Sequence, residues 1–350
     1  GGTVVANYLN STNTNVIVTL PIANDASISG GTLRIRAKVS GGAFENIGSS
    51  ASISSVNTDQ SIILTDDDIE AITGYAEGAT IIFTAVISDA SGNSITGTQS
   101  STTLLVDQVI PSVNAIATSA LSWGAVLNAT EDNSAGTVAV TTVGVENGQS
   151  VTITLNGATY TGSVSSNSAT VTISASGLQA LTDGSSYTLT ADVSDAAGNA
   201  ATQVTSSAFT VDKSAPSINA IATSALSWGA VLNATEDNSA GTVTVTTVGV
   251  EDGQAVTITL NGATYTGSVS SNSATVTISA AGLQALTDGS SYTLTADVSD
   301  AAGNAATQVT SSSFSVDTTL PSISAIGTGA FSWGAVLNAT EDNSAGTVTV

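Results

Sequence analysis

Residues 107–211 and 212–316 are near-copies of each other, and residues 317–350 open a third copy. Trp123, Trp228 and Trp333 mark the same point in each copy, 105 residues apart. That interval constrains the fold more than any other feature. Solenoid units run to about 20–50 residues, whereas about 100 residues make one complete β-sandwich. Each repeat is therefore expected to be a whole domain with a core of its own.

Strand patterning fills each copy. Val151-Thr152-Ile153-Thr154-Leu155 and Ala169-Thr170-Val171-Thr172-Ile173 alternate apolar and polar residues, the mark of strands with one buried face. Turn residues such as Asn156-Gly157, Asp183-Gly184 and Ala197-Gly198-Asn199 break them at short intervals. About seven short strands per copy predict an all-β chain of tandem Ig-like β-sandwiches arranged end to end. In the 107–211 copy, strand A is expected near 121–127, B over 137–143 and C over 150–155. D and E are expected between Tyr160 and Ser174, F over 187–193 and G over 204–211. A non-strand turn is expected over 177–182, and Tyr187 sits where a tyrosine corner belongs.

Residues 1–106 diverge but keep the skeleton. Ser88-Asp89-Ala90-Ser91-Gly92-Asn93 matches Ser194-Asp195-Ala196-Ala197-Gly198-Asn199, and Leu105-Val106-Asp107 matches Thr210-Val211-Asp212. Ile81 stands at the place of Tyr187, so no tyrosine corner is expected there. The division read from the sequence is a variant sandwich over 1–106, repeats over 107–211 and 212–316, and the N-terminal part of a further repeat over 317–350. Each boundary is an Asp followed after three residues by Pro (Asp107–Pro111, Asp212–Pro216, Asp317–Pro321), and Pro holds the linker extended. The chain is expected to be an internal or processed piece, since it carries no Met. The 317–350 copy holds strand A and part of B. It is expected either to belong to a longer chain or to be completed by strands of another.

Charge narrows the function. There are 27 acidic residues against 4 basic ones, a formal net charge of −23. Nucleic acid and anionic membrane surfaces are disfavoured as partners, and cations are favoured. No apolar run is long enough to span a membrane. Without Cys or His, thiolate and imidazole metal sites and Ser–His or Cys–His catalysis are excluded. A carboxylate pair alone is a poor basis for an enzyme when every acid cluster has a counterpart in another repeat.

The acids lie in turns. In an Ig-like sandwich the A–B and E–F loops share one end, and the B–C and F–G loops share the other. Glu131, Asp132 and Asp183 of one copy are then expected to face Glu251, Asp252, Asp300 and Asn304 of the next, with Asp212 in the linker. The preceding junction offers Asp25, Asp66, Asp67, Asp68, Asp107, Glu146, Asp195 and Asn199. Clustered bare carboxylates repel and raise one another's pKa. Ca²⁺, which takes six to eight oxygens in flexible geometry, relieves that cost better than Mg²⁺. Taken singly, most of these acids read equally as solvated turn residues. The linker Asp recurring with the F–G Asp and Asn is what points to calcium.

The Val-Asp-x-x-x-Pro linker, the Asp-Ala-Ala-Gly-Asn loop and the 105-residue period together resemble the bacterial Ig-like tandem repeats of giant calcium-dependent surface adhesins, over nearly the whole chain. The resemblance implies calcium-rigidified extender domains that hold an adhesive tip away from the cell, outside it or on its surface. It carries ligand roles onto Asp107, Asp195, Asn199, Asp212, Asp300, Asn304 and Asp317, and by position onto Asp89 and Asn93. The implied partners are other copies of the repeat or chain and cell-surface or matrix polysaccharide. A polymeric extracellular filament or sheath is the alternative.

Other signals are open. Arg34, Arg36 and Lys38 share one face of an alternating strand and read as a solvated face or as a docking stripe for an acidic neighbour or an anionic polysaccharide. Asn10-Ser11-Thr12 and Asn128-Ala129-Thr130 match the N-glycosylation pattern. Each Trp reads as core or junction packing rather than as a sugar platform.

Overall fold

The structure, a computed structural model, describes residues 2–350. It falls into two compact units, one ending at Lys213 and the other spanning Ser214–Val350. Among the described residues α-helix is confined to segments of five residues, so β-structure supplies the architecture.

The unit ending at Lys213 contains two separate hydrophobic cores. Around the second core, one sheet joins Ser112–Val113, Gly136–Val143 and Ser168–Ile173. A second sheet runs Ala158–Ser163, Ser150–Leu155, Leu189–Asp192, Val204–Thr205. A third ladder places Phe209–Asp212 between Val126–Asn128 and Ser186–Tyr187. The alternation seen in the sequence becomes burial: Val151, Ile153 and Leu155 from one sheet meet Val138, Val140, Val171 and Ile173 from the other, all fully buried. Each such side chain removed from water stabilises the sandwich by about 1.5–3 kcal/mol.

Three expectations shift. Strands F and G are each split, into Ser186–Tyr187 with Leu189–Asp192 and Val204–Thr205 with Phe209–Asp212. The cause is Ser206, whose hydroxyl accepts from the Leu189 amide at 3.1 Å, where a ladder carbonyl would stand. Strand A over 121–127 is mostly turn, with strand only at Val126–Asn128 and a further piece at Ser112–Val113. The turn lays Trp123 across Gly136, where an added Cβ would lie 2.6 Å from the ring. Trp123 is buried, edge-on to Phe209 at 5.3 Å, and is core rather than a sugar platform. Strand Ala158–Ser163 pairs with Ser150–Leu155 and extends that sheet. The expected turn at 177–182 is the short helix Ala175–Gln179 and its exit, capped by Ser174. The tyrosine corner is present, with the Thr182 amide donating to the Tyr187 hydroxyl at 2.9 Å.

Residues 2–106 enclose the other core. Thr32–Val39 and Thr80–Ser88 pair over eight residues, and Asn15–Pro21 pairs with Asp59–Thr65 in a second sheet. Leu33, Ile35 and Ala37 face inward. On the opposite face Arg34 and Arg36 donate to the carbonyls of Gly48 and Phe44, and Lys38 sits 4.7 Å from the Phe44 ring centre. The basic stripe therefore tethers its own domain's 44–48 segment.

Within Ser214–Val350 the second repeat reproduces these ladders strand for strand, around a core from Ile218 to Val316. Trp228 meets Phe314 at 5.4 Å, and the Thr287 amide donates to Tyr292 at 2.9 Å. Residues 318–350 hold one 3-10 turn, Thr328–Ala330, and a bridge from Phe331 to Val348, with Leu320, Ile323 and Val336 exposed.

One element recurs three times. A short strand lies parallel to the last strand of each sandwich: Leu9 opposite Val106, Leu127 opposite Val211, Leu232 opposite Val316. An Asn follows each, and its side chain accepts the amide two residues on, from Thr12, Thr130 or Thr235. Such a turn explains why Leu-Asn-x-Thr repeats in the sequence. Asn10 is fully buried and is not an open glycosylation acceptor.

Candidate functional site

The Asp-Ala-Ala-Gly-Asn loop folds on itself before it does anything else. The Asp195 carboxylate accepts the Asn199 amide at 2.8 Å with one oxygen and the Asn199 side-chain amide at 2.9 Å with the other. Asp300 with Asn304 (2.8 and 3.0 Å) and Asp89 with Asn93 (both 2.8 Å) repeat the arrangement. Gly198 turns the chain at φ +89°, a conformation that costs other residues about 1–2 kcal/mol.

Around Asp195 and Asn199 the surroundings close. Asn199 is fully buried. Its amide also donates to the Asp107 carbonyl at 2.9 Å, and its oxygen accepts the Ser11 amide at 2.7 Å. The Asn10 side chain donates to the Ala197 carbonyl at 2.8 Å. One asparagine thus joins the F–G loop of residues 107–211 to the linker and to the turn after Leu9. Asn93 makes no comparable contact and is exposed.

Three other carboxylates act on the linker Asp107 through their charge. Burial first, then the charges of Asp195, Glu77 and Glu146, hold the Asp107 carboxyl above the usual aspartate range. Glu77 accepts the Gln108 amide at 2.9 Å, and Glu146 accepts the Ala196 amide at 2.8 Å. Glu77 stands at this linker in place of the expected Asp25 and Asp66–Asp68. Those residues serve elsewhere: Asp25 caps the turn Ala26–Ile28, and Asp68 closes a capping box with Thr65. The missed signal is Glu77-Gly78. Gly78 donates to Val106 as Gly184 does to Val211 and Gly289 to Val316, so Glu77 is the counterpart of Asp183 and Asp288. All three accept the amide of the residue after the linker Asp, namely Gln108, Lys213 and Thr318.

The remaining predicted ligands are also engaged locally. Before Ser214, Glu131 accepts the Asn128 amide at 3.1 Å, and Asp132 pairs with the Lys213 ammonium at 2.9 Å. Asp212 ends its strand opposite Asn128. In Ser214–Val350, Glu251 accepts the Ala301 amide at 2.8 Å and Asp252 the Ser271 amide at 2.7 Å. Asp300 and Asn304 are buried. Asp317 ends its strand opposite Asn233 and accepts the Thr319 amide at 3.3 Å. Among the described residues no three acidic side chains gather closely enough to hold one metal ion. Glu131, Glu251, Asp252 and Asp317 thus each accept an amide of their own unit, and Asp132 is taken by the Lys213 ammonium. The donor set around Asp107 nonetheless suits a hard cation in chemistry: it is all oxygen, and its mutual repulsion is what such a cation relieves.

No family model matches the chain, and no curated protein matches it. Solved structures do. One is of a 1.5-MDa bacterial ice-binding adhesin, 25% identical over 89% of this chain and 95% of that one, with a TM-score of 0.39. Another is a Ca²⁺-stabilized adhesin with which an Antarctic bacterium binds ice, 27% identical over 98% and 80%, with a TM-score of 0.45. A third is a bacterial immunoglobulin-like domain from the M. primoryensis ice-binding adhesin, 34% identical over 29% of this chain and 96% of that one, TM-score 0.22. All three come from bacterial adhesins, the class that the linker and loop motifs resemble. The assignment of an Ig-like sandwich rests on the ladders themselves. Among the described residues no helix is long and apolar enough to cross a membrane.

Proposed function

We propose that this chain is an extender region of a secreted or surface-anchored bacterial adhesin, with calcium stiffening the joints between sandwiches over 1–106, 107–211, 212–316 and 317–350. The observation that carries the proposal is the linker carboxylate Asp107, partly buried and repelled by the charges of Asp195, Glu77 and Glu146. Calcium there would neutralise the cluster and bind the F–G loop, the linker and the loop before Thr80 into one joint. Asp107, Asp195, Glu77 and Glu146 are the proposed protein ligands, with the Asn199 loop holding them in place. By repeat position the proposal extends to Asp212, Asp300, Asn304 and Asp317. Asp89 and Asn93 are its weakest members, since their loop is exposed. The partners that fit are further copies of the repeat and, at the adhesive end of the parent protein, a cell-surface or matrix polysaccharide.

The test is thermal unfolding and hydrodynamic length of the full chain in calcium and in chelator. Calcium is expected to raise the melting temperature and reduce flexibility, and Asp107→Asn to blunt both effects. Identical melting and length in the two conditions would reject the proposal.

A further inference from the structure

The ammonium of Lys213 is held as a metal ion would be. It lies 2.9 Å from the Asp132 carboxylate, 3.0 Å from the Leu181 carbonyl, 3.2 Å from that of Gln179 and 3.4 Å from that of Leu178. Three of these oxygens are backbone carbonyls at the C-terminal end and exit of the helix Ala175–Gln179, where the local dipole favours positive charge, and the Leu178 carbonyl also accepts the Ala180 and Leu181 amides. The fourth is a carboxylate that is 6% exposed and would be costly to bury unpaired.

One repeat later every oxygen-bearing residue recurs, as Asp237, Leu283, Gln284 and Leu286. The frame that positions them recurs too. The helix Ala280–Gln284 has the same Ser cap and the same exit through Ala285. The Gln284 side chain donates to Asn238 at 3.0 Å, as Gln179 does to Asn133 at 3.0 Å, so each A–B loop is strapped to its helix. The Thr318 amide meets Asp288 at 2.7 Å, as the Lys213 amide meets Asp183 at 2.6 Å. Only the cation is missing. Residue 318 is Thr, and no Lys, Arg or His follows residue 213 anywhere in the sequence.

Of the oxygens left behind, the Leu283 carbonyl accepts the Ala285 and Leu286 amides and keeps its second lone pair for a further partner. Among the described residues, the Asp237 side chain has neither hydrogen bond nor ion pair, and the Gln284 and Leu286 carbonyls accept no backbone amide. The loop also differs in form: Glu131–Asn133 closes into a 3-10 turn beneath Lys213, whereas residues 236–238 make simple turns and Asp237 is half-exposed.

We propose that the second repeat binds one hard cation from solution at the place the Lys213 ammonium fills in the first. Its ligands are the Asp237 carboxylate and the carbonyls of Leu283, Gln284 and Leu286, completed by water. One carboxylate with three neutral carbonyls is an oxygen-only set for a potassium-sized or calcium ion. Calcium requires the oxygens to draw in to about 2.3–2.6 Å. This site lies inside a single repeat and is independent of the joint around Asp107.

Equilibrium dialysis of the full chain against calcium chloride, and separately against rubidium chloride as a potassium-sized probe, counts ions per chain. In one of the two arms Thr318→Lys is expected to bind one ion fewer than the natural chain, and Asp237→Asn likewise. Lys213→Thr is expected to bind one more. Equal counts for the natural chain, Thr318→Lys and Asp237→Asn in both arms overturn the proposal. Asp107→Asn tests the joint separately, because it changes the calcium count without removing the difference that Thr318→Lys makes.

Discussion

The loops Asp89–Asn93 and Asp195–Asn199 share one set of internal hydrogen bonds and almost nothing else. Both carboxylates accept the amide and the side chain of the Asn four residues on. The first loop stands in solvent, whereas Asn199 is fully buried and tied to Ser11 and the Asp107 carbonyl. The same motif is therefore a self-sufficient turn in one place and a joint in the other. The difference comes from what packs on it.

Five substitutions sharpen or break that comparison. The largest effect is expected for Asn199→Asp, which removes two amide donors and buries a second carboxylate beside Asp195. Loss of about 3 kcal/mol is expected in chelator, against less than about 0.5 kcal/mol for Asn93→Asp. Chemical denaturation of each variant measures both, and equal losses would remove the distinction. Next comes glycine. Gly92 and Gly198 both have positive φ, but a Cβ at Gly92 meets nothing, whereas one at Gly198 would lie 2.8 Å from the Val5 side chain. Gly92→Ala is expected to cost about 1 kcal/mol from backbone strain, and Gly198→Ala about 1 kcal/mol more from overpacking. A smaller loss, about 1 kcal/mol, is expected when Tyr187→Phe deletes the hydrogen bond from Thr182. Unfolding of residues 2–106, where Ile81 replaces the tyrosine, should be untouched.

The smallest effect is a pH slope of opposite sign at two carboxyls. Asp107 is pushed up by burial and by its acidic neighbours. Its contribution to stability is complete below the usual aspartate range and is lost as pH rises through its folded-state value. Asp89 is pulled down by the Asn93 side chain and amide, so its contribution is present at neutral pH and is lost as pH falls through its own lowered value. Carboxyl carbon shifts followed by NMR in chelator should place Asp107 above Asp89. Calcium should draw Asp107 downward and leave Asp89 in place if the joint alone binds the ion.

Much of the architecture was legible in the sequence because period-two alternation maps directly onto burial, as at Val151, Ile153 and Leu155. Strand breaks were not. Ser206 interrupts F and G through a side-chain hydrogen bond that leaves no mark on hydrophobic periodicity. The site was legible in part. Asp107, Asp195 and Asn199 stand out because their motif recurs, and the structure brings them together. Glu77 escaped because Glu replaces Asp where the first sandwich diverges, and only its following glycine marks the position. Asn10 escaped because a turn asparagine before Ser and Thr also matches a modification pattern. Asp132 looked like a metal ligand since a carboxylate in a loop gives no sign of the lysine that folds back onto it.

That lysine has a bearing on how long such a chain survives among digestive enzymes. Arg34, Arg36, Lys38 and Lys213 are its only basic residues, so trypsin-like proteases have a single possible cut, after Lys213, between Lys38 and Val350. The side chain they must grip is 17% exposed and caged by four oxygens. The one scissile bond joining the two units is guarded by the very group that would betray it.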